Sequence, residues 1–347
     1  IIPTAQLTTT KMKSLQTITV ACILATGLSF GQTQQQTNVG NRTGSTTRDL
    51  PSPAKESVTG NTGDSASVTS SDTGAQRPLL LKKSGFSGSF GYSSKIAYEE
   101  NPLGAPGVLD QQADAVWKNS FQGQAKLGVY DLGNSVLTPF VGGAWTMTDF
   151  TYKNDDDIIS DLSTLNFNST TAYLLFLLQH ESGWAFRAGV MYANDRSTEN
   201  DTEDYMEFYP SVGVTKAYSH TDAILGVFDA SLGVHKGDIE ELGSGHTSDE
   251  LDHFDVTGSY SLIYSFDNFS LMPSYSVSFR DYSNGFNKDR EDILHSISLN
   301  LDYPISESFE LSVFSDYSKR ESSGENETLY EFKKFSIGTG LSLIASF

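Results

Sequence analysis

The sequence predicts an all-β fold, a transmembrane antiparallel up-and-down β-barrel of about twelve strands. Three observations predict it. From Ser84 onward, large apolar and small polar residues alternate in segments of about ten residues, the period-2 pattern of a strand with one apolar face. The connections between segments are alternately short and long, which puts the tight turns at one end of the sheet and the loops at the other. The polar set is mostly Ser, Gly and Thr, whereas a face turned to bulk water usually carries more Lys and Glu. Apolar residues therefore point outward and small polar residues inward.

The first 80 residues read differently from the rest. Met12-Lys13 begins a short basic region, Leu15 to Phe30 is mainly apolar, and Ser29 and Gly31 suit a cleavage before Gln32. Residues 1–31 are thus expected to be upstream residues and a signal peptide. Cys22, the single cysteine, lies inside that apolar stretch, so no disulfide is expected in the exported chain. Residues 32–80 are rich in Gln, Ser, Thr, Gly and Asn. With few large apolar side chains they cannot offset their ordering entropy, and they are expected to form a disordered low-complexity linker. Residues 84–347 form the barrel.

The elements follow in order. Phe90, Tyr92, Ile96 and Tyr98 alternate with Ser89, Gly91, Ser93 and Lys95 in the first strand, and a loop rich in Gly and Pro follows. The second sets Trp117, Phe121, Ala125 and Leu127 against Lys118, Ser120, Gln122 and Lys126, then turns at Asp131 to Asn134. The third, Val136 to Tyr152, has unclear parity around Phe140, Val141, Trp145 and Phe150, which suggests a bulge. The fourth, Ser169 to His180, is nearly all apolar and leads through Glu181-Ser182-Gly183 into Trp184, Phe186, Ala188, Val190 and Tyr192. Met206, Phe208, Val212, Val214 and Tyr218 mark the sixth, and Ala223 to Val234 the seventh. Phe254 to Phe266 and Phe269 to Phe279 form a hairpin about Asp267-Asn268, a strong two-residue turn signal. Ile293 to Tyr303, Phe309 to Tyr317 and Phe335 to Phe347 complete the set. Aromatics collect near strand ends: Phe266, Phe269, Tyr303 and Phe309 by the short turns, and Tyr98, Trp117, Tyr192, Phe254 and Tyr317 by the loops. This is the distribution expected of interfacial girdles.

The last strand carries a resemblance. Leu341, Leu343, Ala345 and the final Phe347 form an amphipathic strand ending in an aromatic, which resembles the assembly signal of bacterial outer-membrane β-barrel proteins. The resemblance implies a porin-like barrel in the bacterial outer membrane, delivered to the barrel-assembly machinery through the strand ending in Phe347. It also implies outer-membrane lipids and lipopolysaccharide as partners.

Charge narrows the functional classes. The chain has 23 Lys and Arg against 43 Asp and Glu, a net −20 that repels phosphate backbones and argues against nucleic acid as a partner. An enzyme is not expected. His180-Glu181-Ser182, with Asn194 beyond, is similar to the His-x-Ser spacing of outer membrane phospholipase A. A Ser nucleophile, His base and Asn orienter would be coherent chemistry. However, His180 and Ser182 sit at a short turn while Asn194 lies at the far end of the next strand. The other histidines, His220, His235, His246, His253 and His295, lack metal-site spacing, so no metal or cofactor is expected. Asp155 to Asp157 and the acidic stretch around His246 read as solvated loops.

Inward parity assigns the lumen. Lys95, Lys118, Lys126, Arg187, Lys216, Arg280 and Lys334 are expected to line it, with Glu207, Asp255, Asp292, Asp302 and Glu310 as the opposing acids. Twelve strands lie between filled eight-stranded barrels and open sixteen-stranded ones. Small lumen residues favour a narrow passive channel for small hydrophilic solutes. The alternative is a closed barrel with a structural or adhesive role through its acidic loops, and a lipid hydrolase ranks below both.

Overall fold

The computed structural model describes residues 87–102, 113–151, 163, 166–199, 201, 203–221, 223–239, 247–324 and 330–347. The export segment and linker expected over residues 1–80 fall outside these, as do 155–157 and His246.

The chain forms β1 (Ser87–Glu100), β2 (Ala113–Lys126), β3 (Tyr130–Asp131), β4 (Ser135–Phe150), β5 (Phe167–His180), β6 (Trp184–Ser197) and β7 (Glu203–Thr221). It continues with β8 (Ile224–Ile239), β9 (His253–Ser265), β10 (Ser270–Tyr282), β11 (Glu291–Pro304), β12 (Phe309–Ser323) and β13 (Phe332–Ser346). Each strand pairs antiparallel with its neighbours in sequence, β2 also pairs with β4, and β1 pairs with β13. The sheet therefore closes into a barrel of twelve long strands, with the two-residue β3 extending β2 along β4. Closure leaves no open sheet edge, the condition for placing backbone polar groups in hydrocarbon.

Every short connection lies at one end, which also holds Ser87 and Ser346. At the β9–β10 turn, Phe266 N–H donates to Phe269 O at 2.9 Å across Asp267-Asn268. Gly183 takes the left-handed conformation (φ 82°) that ends the β5–β6 turn, and its N–H bonds to His180 O. The third long strand, β4, has no bulge: its register with β2 and β5 is continuous. Its parity looked ambiguous because Phe140 and Phe150 point inward while Val141 and Trp145 point outward. The interruption lies one strand earlier, where Leu127–Val129 separates β2 from β3. Register shifts occur at Asp195/Arg196 and Ser219/Thr221.

The two faces differ as parity predicts. Outward residues stay exposed although large and apolar: Ile96 (52 %), Trp117 (47 %), Phe208 (51 %) and Ile297 (56 %), among many more around the wall. An apolar exterior this extensive far exceeds the few hundred Å² typical of a water-facing monomer. It is the face of a barrel wetted by hydrocarbon. Strands of 13 to 19 residues are longer than the ~9–11 needed to cross the hydrocarbon and so reach beyond it.

Candidate functional site: the barrel lumen

The lumen is divided lengthwise. Along β4 to β9 large apolar side chains on the inward parity gather into two clusters. Phe140, Tyr173, Leu175, Leu177, Met191 and Tyr209 pack together inside the barrel, and Leu175 and Tyr209 are fully buried. A second inward cluster joins Leu225, Val227 and Ile263 near the short turns. The expected division, apolar outside and hydroxylated inside, therefore fails at these two clusters, while inward Thr138, Thr171, Ser211, Thr215 and Ser231 keep to it. The nearly all-apolar β5 was its visible sign: odd positions build an interior core and even positions face out.

Over the short-turn half of β10–β13, β1 and β2 most inward residues are small or flexible and half-exposed, whereas toward the loops Arg280, Asp292, Arg320, Lys334 and Glu99 are buried. Ser274, Ser298, Ser312, Ser342, Ser93 and Gln122 belong to this sector. In it lie Lys95, Lys126, Asp302 and Glu310, which share the parity of these residues and are half-buried. The Lys95 ammonium stands 5.7 Å from the Phe314 ring centroid.

Several of the other charges are held in buried ion pairs. Arg187 makes two bonds to Asp229, at 2.6 and 2.8 Å, and a third at 3.1 Å to Thr215. Its guanidinium lies flat on Gly213, where any Cβ would collide with it. Both partners are almost completely buried, so the pair depends on this fork-to-fork geometry. Glu99 sits between Lys334 at 2.7 Å and Lys118 at 3.2 Å. Glu207 bonds His235 Nδ1, while His235 Nε2 lies 3.3 Å from Asp255, which also accepts from Tyr209 OH at 3.1 Å. Arg280 is buried in register between Asp255 and Asp292.

Lys216 departs from the expectation. It is an even position on β7, sharing its face with exposed Phe208, Val212 and Tyr218. It points out of the barrel at the short-turn end, where its ammonium lies 5.3 Å from the Trp184 ring centroid and donates to Ser182 O. Its stem covers apolar wall while its head reaches the interface.

Sequence reasoning missed a stacked column at the loop end. The ring centroids of Tyr209 and His235 are 3.9 Å apart, those of His235 and His253 4.1 Å, and those of His253 and Tyr282 4.8 Å. Arg290 continues it, with its guanidinium 3.7 Å from both the Tyr282 and Tyr330 centroids. Arg290 also donates to Asn287 Oδ1 at 2.7 Å, and Asn287 donates to Glu250 O at 3.0 Å. One guanidinium thus ties three loops to the barrel rim. The signal available was a set of aromatic and His residues on the inward parity: Tyr205, Tyr209, His235, His253 and Tyr282.

The turn pair His180–Ser182 is a local motif. Ser182 Oγ lies 2.6 Å from His180 Nδ1, and the same nitrogen accepts Ser182 N–H at 3.1 Å. Asn194 is ten residues along β6 from Trp184, about 30 Å at strand rise, and bonds Glu203 instead. These residues do not form a triad.

Neither protein-family models nor curated proteins match the sequence. Solved structures do. An outer membrane channel from Pseudomonas putida F1 shares 10 % identity at TM-score 0.47, covering 80 % of this chain and 100 % of that one. The outer membrane channel DcaP of Acinetobacter baumannii shares 11 % at 0.38, covering 76 % and 99 %. The translocator domain of the autotransporter NalP from Neisseria meningitidis shares 12 % at 0.38, covering 76 % and 90 %. The barrel architecture described above rests on strand register and on the apolar outer face.

Proposed function

We propose that this barrel is a narrow passive channel for small hydrophilic solutes across the bacterial outer membrane. One observation carries the reading: over the short-turn half of β10–β13, β1 and β2 most inward residues are small or flexible and half-exposed, whereas Phe140, Tyr173, Leu175, Leu177, Met191 and Tyr209 pack together on the other side. The path is therefore off-centre, along the small-residue wall. No bond is made or broken. Solutes diffuse, and the charges of Lys95, Lys126, Asp302 and Glu310 filter them. The stacked column ending at Arg290 narrows the loop-side mouth, so conductance is small.

Reconstitution of the folded chain in a planar bilayer tests the reading. Discrete, ohmic conductance steps are expected, reduced when Ser298→Trp or Ser312→Trp fills the small-residue wall. A folded, inserted barrel that never conducts would overturn it and leave the closed, surface-structural barrel.

A further inference from the structure

The outer wall carries a row of basic residues at one level. In register, His295 of β11 stands opposite Lys319 of β12, and Lys319 opposite Lys333 of β13. All three are odd positions on strands whose odd residues face outward, as exposed Ile293, Val313 and Ile337 show. One step toward the short turns lie Ile297, Tyr317 and Phe335, again in mutual register. One step toward the loops lies Glu321, which bonds Lys319, and Glu331 is exposed at the entry to β13. His295 Nδ1 is 2.8 Å from Tyr275 OH.

Two like charges directly opposite across a ladder repel each other. Here the juxtaposition falls just loopward of an aromatic rung, the level at which a bilayer gives way to its headgroups. Lysine stems there cover apolar wall and present their ammonium groups to whatever lies at that depth. Elsewhere on the described outer wall, Lys236 and Arg196 each pair with a loop carboxylate, and Lys216 is at the other end. The row sets two ammonium groups in direct register at the depth of lipid phosphates, with Glu321 and Glu331 on its loop side.

We propose that Lys319 and Lys333, flanked by His295, hold the phosphate of a phosphorylated lipid in the loop-side leaflet. The acyl chains of that lipid lie along Ile297, Val313 and Ile337. An arriving phosphate competes with Glu321 for Lys319 and relieves the repulsion between the two lysines. The inference rests on the wall's placement in a bilayer and is independent of the channel reading.

The test is binding of synthetic bis-phosphorylated lipid A to the full chain in detergent, read by native mass spectrometry. The dephosphorylated lipid and inorganic phosphate serve as comparison probes. Lys319→Gln/Lys333→Gln is expected to bind the phosphorylated lipid about tenfold or more weakly, the loss of two surface lysine contacts. Lys319→Arg/Lys333→Arg and Lys216→Gln are expected to bind it as the native chain does. Equal binding by the double Gln variant, or by the dephosphorylated lipid, overturns the proposal. Full displacement by millimolar inorganic phosphate does too, because it identifies a free-anion site. Bilayer conductance of the same variants separates this result from the channel reading.

Discussion

Gly88 and Phe347 exchange two backbone hydrogen bonds of 2.9 Å each, so the first described strand and the last are stitched together at the short-turn end. The Phe347 ring lies across Gly88, where a Cβ would sit 2.6 Å from Phe347 Cζ. The ring is 74 % exposed and belongs to the outer face. The aromatic read as an assembly signal thus also covers the seam where the barrel closes.

Phe347→Ala is expected to lower the yield of folded barrel, through loss of the seam contact. The fraction of heat-modifiable protein in outer-membrane extracts measures it. Gly88→Val should lower the same fraction, and should do so on refolding into detergent too, where no machinery is present.

Breaking the Arg187–Asp229 pair should cost about 3–5 kcal/mol, since Arg187→Ala leaves a carboxylate buried without its cation. Urea unfolding in lipid vesicles would show it. Arg187→Met/Asp229→Leu removes both charges and should recover most of the loss.

Arg290→Gln removes the guanidinium between Tyr282 and Tyr330 and should loosen the loops they anchor. Single-channel conductance is expected to rise, with more frequent transitions between levels, and Arg290→Lys should be intermediate because an ammonium cannot stack as a plane.

Lys126 faces the water-accessible wall near the short turns. Lys126→Glu changes one lumen charge by two units, worth about 2 kcal/mol for a monovalent ion at a few Å in water, or about a thirtyfold change in how strongly that ion is favoured there. Reversal potentials in a salt gradient should shift toward cations. Lys216→Glu, on the outer face, should leave selectivity unchanged.

Much of the architecture was legible in the chain because a bilayer imposes one rule on every strand. Each outward position must tolerate hydrocarbon, so Ile96, Trp117, Phe208, Tyr260 and Ile297 declare their face singly, without reference to a partner. The closing pairing of β1 with β13 was legible for a related reason: an even number of antiparallel strands with an apolar exterior has no other way to satisfy its last edge. Lys216 shows the limit of reading charge as interior, for a lysine at the interface can lie on the apolar face and reach out of it.

The interior was decided elsewhere. Parity says that Leu175, Tyr209, Arg187 and His253 point inward, but not what they meet, because their partners come from strands far apart in sequence. Asp229 reaches Arg187 only across an intervening strand, and Arg290 reaches Tyr330 only after β11 and β12 have gone by. The sequence by itself determined the wall and its orientation, one residue at a time, through contact with lipid. Only the tertiary structure decided which side of the lumen is filled, because filling depends on the summed volumes and charges of side chains that closure brings face to face.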